Sequence, residues 1–275
     1  MAGVLLNRLW LGRTTICDRG LSLCLRVISI ILLVDLPLQF LLLSASMIGD
    51  TSWTDAWHAI PDVAHTHSGH VIMASFCFVP CFLTLSLFPN SLEKRKDILI
   101  GVVLSLGLII SRALGGHAAS DGDFSLREGI QFLHLSSISA WGGGILVAGF
   151  FTLPRLACFD EPGSVEHFGK RLSRTVTVAV AIVILSGIYN SWKGLGGSLS
   201  PLPHSAWGRM LLIKLSLVLI AFGHGLRSRL LLKAREPWNR SRTTKIRRWV
   251  RIEAFFMLLI IVSSAWLANL PPADM

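Results

Sequence analysis

An all-α, polytopic transmembrane helix bundle of about seven spans is what this sequence predicts, on three observations. Seven apolar stretches are each long enough to cross a bilayer, which takes roughly 20 helical residues. Only 15% of residues are charged and mean hydropathy is +0.60, whereas soluble domains carry about 25% charged residues. The basic residues, which give the 275-residue chain a net charge of +10, gather in a few loops. In a soluble protein that charge would raise nucleic acid as a partner. Gathered in loops it orients the chain in a lipid bilayer, and no nucleic-acid partner is expected. The five cysteines, an odd number mostly in or near apolar runs, argue against a disulfide scaffold.

Taken in order, residues 1–20 read as a short basic cytoplasmic segment carrying Arg8, Arg13 and Arg19. They hold no convincing cleavage site for a secretory signal. Residues 21–275 read as a single transmembrane domain, with spans at 23–46, 69–88, 98–116, 129–151, 175–192, 208–227 and 250–270. The N-terminal segment and alternate loops hold 21 Lys or Arg, ten of them in 227–251; the opposite loops hold Arg112, Arg127, Lys193 and Arg209. The positive-inside rule therefore predicts a cytoplasmic N-terminus and a periplasmic C-terminus. The basic 227–251 loop also offers charge to anionic lipid. The outer loops are then 47–68, 117–128, 193–207 and 271–275, and the first two carry Asp50, Asp55, Asp62, Asp121 and Asp123. Those aspartates suit a cation partner, although outer loops are polar in any case.

Seven of the nine histidines fall on that predicted outer side: His58, His65, His67, His70, His117, His134 and His204. Imidazole is a common ligand for transition metals. His67 and His70 share a helix face where the second span begins, while His65 needs a loop geometry to join them. His117 ends the third span and His134 lies inside the fourth, with a short loop between that makes the two spans antiparallel neighbours. An ionisable residue within a span is a functional candidate because its burial in lipid is costly; the plainer reading of His134 is a neutral histidine bonded to a neighbouring helix. His167 and His224 read as structural or solvated. Down the second span, His70, Met73, Cys77 and Cys81 follow at steps of three, four and four, which keep one face. Soft sulfur ligands select Cu(I), and Pro80 would loosen the helix there. Met and Cys are equally ordinary apolar fillers of membrane helices. Met47, at the outer end of the first span, would add a thioether.

Charges also fall within or near the ends of spans: Asp35, Arg112, Arg209, Lys214 and Glu253. Asp35 and Lys214 sit at similar depth, which would allow an ion pair. Such groups pair inside a bundle or line a water-filled path, and so suit a coupling role as well as a structural one. Trp141-Gly142-Gly143-Gly144 reads as structural, since three glycines let a neighbouring backbone come close.

These residues resemble the copper-resistance D family (CopD/PcoD-like) of bacterial inner-membrane proteins. The matching stretches are SASMIGD at 44–50, GHAA at 116–119, FLHLSSISAWGGGI at 132–145, RLSRTVTVAVAIVILSGIYNSW at 171–192, WGRMLLIKLSLVLI at 207–220 and RIEAFFMLLIIVSSAWLANLPP at 251–272. Each is weakly specific, but six in order over 21–272 are hard to obtain by chance. The resemblance places His117, His134, Trp141, Asn190, Arg209, Lys214 and Glu253 at motif positions. It implies copper handling, as Cu(I) or Cu(II), at or across a bacterial inner (plasma) membrane. Two departures stand out. Family members commonly show eight spans and the first is missing or degenerate here, and His65, His67 and His70 enrich a stretch that is less histidine-dense in the family.

The expectation is therefore a copper transport and homeostasis protein, not an enzyme, working in uptake with periplasm-facing His and Met ligands. No GxxxxGK[ST] run is present, and no large cytoplasmic domain exists to house a nucleotide. A periplasmic copper-binding protein and a second copy of the chain are the expected partners. The alternatives are a membrane redox protein binding haem b through histidines on adjacent helices, and a partner that delivers copper to an assembling oxidase.

Overall fold

Hydrocarbon offers no water to backbone N–H and C=O groups, so a spanning segment must bond them within itself, which a helix does. A computed structural model describes residues 1–12, 17–49, 52–88, 92, 94–115, 125–158, 162–234 and 238–271, and every regular element among them is helical. A short α1, Ala2–Leu11, comes first. Seven helices long and apolar enough to cross a membrane follow. They are α2 (Asp18–Ile48), α5 (His67–Leu87), α6 (Arg95–Leu114), α7 (Leu126–Leu156), α8 (Pro162–Gly194), α10 (Ala206–Lys233) and α11 (Arg240–Ala268). Three short helices lie between them: α3 (Trp53–His58), α4 (Ile60–Ala64) and α9 (Pro201–His204).

The number of spans agrees with the sequence, but the helices overrun the expected limits. At the basic end α8 begins at Pro162, α10 runs on to Lys233 and α11 starts at Arg240. Hydropathy marks where lipid stops, not where the helix stops. Leu, Lys and Arg remain good helix formers in water, so the helices continue past the apolar stretches. Side-chain caps fix several starts. Thr66, Ser205 and Asn239 accept from the backbone N–H three residues on, at 3.0, 2.9 and 2.8 Å, satisfying donors that a helix start leaves orphaned.

Two compact units divide the chain: one of Met1 and Asp18–Ser136, the other of Ala2–Cys17 and Ser137–Met275. In the first, α2 packs on α5 and α5 on α6, with Leu21, Leu25, Val79 and Phe82 buried. At the basic end, Arg26 donates to the Ser86 carbonyl at 3.0 Å and ties α2 to α5. Gly107 of α6 leaves room for the Phe78 ring, which would meet an added Cβ at 2.6 Å.

In the second unit α1 is deeply embedded. Val4, Leu5, Asn7, Trp10 and Leu11 are all buried, so the segment expected as a short basic cytoplasmic stretch includes a packed helix. Gly3 lies so close to Gly143 of α7 that a Cβ on it would overlap the Gly143 carbonyl. Asn7 donates to the carbonyls of Gly3 (2.8 Å) and Gly144 (3.0 Å) and accepts from the Thr152 hydroxyl at 2.9 Å. Trp10 donates to Thr175 of α8 at 3.2 Å, and Arg171 of α8 donates to the Leu9 carbonyl at 3.0 Å. Near its middle α7 widens into two π-helical turns, Ser139–Gly143 and Ala148–Thr152. Helices α10 and α11 pack along each other. Their connection is stapled by Arg242, which donates to the carbonyls of Leu231 (2.8 Å from Nε) and Ala234 (3.0 Å) while lying over the Trp238 ring at 4.7 Å.

Asn7 is fully buried with both ends of its amide bonded, so removing it leaves the Thr152 hydroxyl without that acceptor. Replacing Asn7 with Ala should lower stability by about 1–3 kcal/mol, the cost of an unsatisfied buried polar group. The check is a thermal melt of the detergent-solubilised protein. Combining N7A with T152V should cost less than the sum of the two single changes, because they share one hydrogen bond.

Candidate functional site

The histidine-bearing end of the first unit is built by α4, α5 and α6. The backbone turns sharply from α4 into α5, with Gly69 against the Val63 carbonyl in a position where a Cβ would overlap it. His65 caps the end of α4, Thr66 caps the start of α5, and His67 and His70 stand on the first turn of α5. All three histidines are exposed. The Nε2 of His67 lies 3.0 Å from the carbonyl of Leu114, the last residue of α6. A nitrogen engaged with a carbonyl is not open to a metal. A carbonyl on the other ring nitrogen is a common support for metal-binding imidazoles, because it fixes tautomer and ring orientation.

The remaining candidates are placed unevenly. Met47 is exposed at the end of α2, and His134 is half-buried in α7. His117 lies outside the described residues, so the approach of His117 to His134 does too. His58 and His204 are exposed at the ends of α3 and α9. Among the described residues, no three His, Cys, Asp or Glu side chains are grouped to hold a metal. The sulfur stripe keeps the expected face, but that face points out of the bundle. Met73 is 43% exposed, and Cys77 and Cys81 are exposed free thiols whose Sγ atoms lie 3.9 and 3.2 Å from the carbonyls one turn back on their own helix. Helical periodicity shows which residues share a side, not which side meets a neighbour.

Of the charges in the spans, Asp35 is half-buried and accepts a short hydrogen bond from Gln39 on its own helix. Lys214 is half-buried in α10. Arg112 and Arg209 are exposed, and Arg209 donates to the His204 carbonyl at 3.4 Å. Glu253 of α11 differs from the rest. It is only 2% exposed and accepts from the Trp141 indole N–H at 3.2 Å. Arg229 of α10 lies within electrostatic reach of its carboxylate. Gly225 makes the space, since a Cβ there would lie 2.9 Å from Oε1.

One turn from this carboxylate on each side is an aromatic clamp. The His224 ring stacks on Trp249 and Phe256, at centroid distances of 5.3 and 5.5 Å, and Arg227 caps Trp249 at 4.8 Å. His224 thus has a structural place. The π-helical turn at 139–143 displaces the regular helix register where Trp141 meets Glu253, and such turns are frequent at functional sites. Gly225 and Arg229, both half-buried beside Glu253, and the fully buried Asn7 carried no site signal of their own in the sequence.

Comparison with known proteins gives three findings. A family model described as Copper resistance protein D matches residues 166–267. A second, described as Copper resistance protein D-like, N-terminal domain, matches residues 1–126. The Copper transport protein CutJ of Bacillus subtilis (strain 168) is 27% identical over 194 residues, covering 69% of this chain and 34% of that relative. The chain thus spans about a third of the length of the curated relative it matches. No solved structure matches.

The buried Trp141–Glu253 contact sets a testable coupling. Glu253→Gln and Trp141→Phe should each destabilise the protein. A double-mutant cycle read by thermal unfolding in detergent should give a coupling of about 1.5–3 kcal/mol, the range for a hydrogen bond to a charged group. Additive effects would mean that the two side chains act independently.

Proposed function

We propose that this multi-pass membrane chain, similar to copper resistance protein D over residues 166–267 and to the N-terminal domain of such proteins over residues 1–126, belongs to that family, serves copper homeostasis and takes copper up across the membrane. The observation that carries this reading is the one-sided set of histidines, His65, His67 and His70, at the ends of spans whose opposite ends are strongly basic. By the positive-inside rule the histidines face the periplasm. They collect the ion there with Met47, and His117 and His134 receive it at the third and fourth spans. A periplasmic copper-binding protein is the natural donor to such a surface, and a second copy of the chain is a natural neighbour in the bilayer.

Copper is cargo in this reading. Imidazole nitrogen serves either oxidation state, and the thioether favours Cu(I). Met73, Cys77 and Cys81 face out of the bundle, so a path along them requires a partner surface against α5; inside a lone chain they serve as lipid-facing apolar residues. Glu253 is the best-supported coupling group among the intramembrane charges. Its carboxylate is buried beside one neutral donor and one arginine, and buried charges of this kind line ion and proton routes. Asp35, Arg112, Arg209 and Lys214 take lesser parts, since two are exposed and two half-buried.

The test is metal analysis and visible absorption of the purified protein, followed by copper flux into liposomes. Bound copper without a Soret band, and flux driven from the histidine side, are expected. Replacing His67 and His134 with Ala should weaken copper binding by about 10- to 100-fold, the loss typical of damage to a metal site. A Soret band would favour haem b, and binding without flux would favour delivery of copper to an assembling oxidase.

A further inference from the structure

At the basic end of the second unit, several cations are engaged within the fold. Arg242 donates to the Leu231 and Ala234 carbonyls. On α8, Lys170 pairs with Glu166 at 2.6 Å and Arg171 donates to the Leu9 carbonyl at 3.0 Å. Lys245, Arg248 and Arg251 of α11 are placed differently. All three are exposed, and neither α10 nor α11 offers them an exposed carboxylate. The one acidic residue on either helix is Glu253, which is buried and accepts from Trp141.

Their spacing adds a direction. Steps of three keep Lys245, Arg248 and Arg251 on one side of the helix. Further steps of four, three and four continue that side through Phe255, Leu258 and Val262, which are all exposed. One exposed face therefore carries cations over its first turns and large apolar side chains beyond them. Arg227 of α10, also exposed, reaches across to lie over the Trp249 ring at 4.8 Å. This sets a fourth cation beside the residue that follows Arg248. An aromatic ring with a polar edge is typical of the level where headgroups meet hydrocarbon. A phospholipid has the same order as this face, with phosphate first and acyl chains beyond.

Retention charge alone explains why cations gather at this end. It requires only their number, and neither a line on one face nor an apolar continuation of that line. Lys94, Arg95 and Lys96 of the first unit supply the same kind of charge and are followed directly by Asp97. The guanidinium fork matches a phosphate with two N–H donors. A zwitterionic lipid also has a phosphate, but its ammonium would be brought among the cations, so the headgroup that fits carries net negative charge. We propose that Lys245, Arg248 and Arg251, with Arg227, bind the headgroup of an anionic phospholipid whose acyl chains lie along Phe255, Leu258 and Val262. The site is independent of copper.

The experiment is native mass spectrometry of the full chain in detergent, titrated with phosphatidylglycerol and, separately, with phosphatidylcholine of the same acyl chains. The wild type should retain phosphatidylglycerol in preference, and that lipid should raise its melting temperature, as a ligand bound only by the folded state does. A variant with Lys245→Gln, Arg248→Gln and Arg251→Gln keeps seven of the ten Lys or Arg in 227–251, and so most of the retention charge. It should bind phosphatidylglycerol more weakly, by about fivefold for each cation removed, and lose the thermal shift. The matching variant with Lys94→Gln, Arg95→Gln and Lys96→Gln removes as many cations and should bind as the wild type does. Equal losses in the two variants would overturn the site, since charge number alone would then decide. Equal retention of the two lipids would overturn it too, as would displacement of phosphatidylglycerol by inorganic phosphate at the same concentration, the mark of a simple anion site. Should the triple variant fail to fold, Arg248→Gln alone decides: a loss of about fivefold supports the site, and wild-type retention refutes it.

Discussion

The second unit depends on how closely other helices can approach the backbone of α7. Four glycines make that approach. Gly3 of α1 meets Gly143, the Trp10 ring would lie 2.7 Å from a Cβ at Gly144, Met257 sits 3.5 Å from the Cβ position of Gly142, and Ala254 would lie 2.9 Å from a Cβ at Gly149. Lipid tails are as apolar as leucine, so spans associate through close van der Waals contact and interhelical hydrogen bonds. Here the two occur together. The glycine run brings α1 and α11 up to α7, and the polar bonds of Asn7 and of Trp141 form at the same places.

The π-helical turns belong to the same economy of space. Each inserts an extra residue into the helical register and shifts the side chains that follow. One turn carries Trp141 toward Glu253, and the other ends at Thr152, which reaches Asn7. The carboxylate of Glu253 therefore owes its place to three elements. A widened α7 offers the indole, α10 leaves out a Cβ at Gly225, and Arg229 lies near in charge. Remove the glycine or the register shift and the carboxylate has no room or no donor.

Much of this was legible in the sequence, and the parts that were not share a cause. Hydropathy located all seven spans because lipid burial leaves a strong compositional mark. It misplaced the ends of α8, α10 and α11 because helix propensity does not stop at the lipid boundary. The three glycines at 142–144 announced a close approach, but not that Gly3 and Trp10 would make it, since partners far apart in sequence leave no local trace. Spacing put Met73, Cys77 and Cys81 on one face and could not say that the face points outward. Histidines near a predicted boundary were easy to notice. Glu128 was not, because Ser125-Leu126-Arg127-Glu128 reads as an ordinary helix start, and only its buried carboxylate, without a hydrogen bond among the described residues, sets it apart.

The outward stripe on α5 has a practical side. Cys77 and Cys81 are exposed free thiols one turn apart, roughly 6 Å along the axis at 1.5 Å per residue, whereas Cys17 is buried. That makes them natural depth gauges. Once Cys158, the third exposed cysteine among the described residues, is replaced, maleimides graded by their partition between water and oil would reach them in order of immersion, and the profile would map where the bilayer sits on this helix.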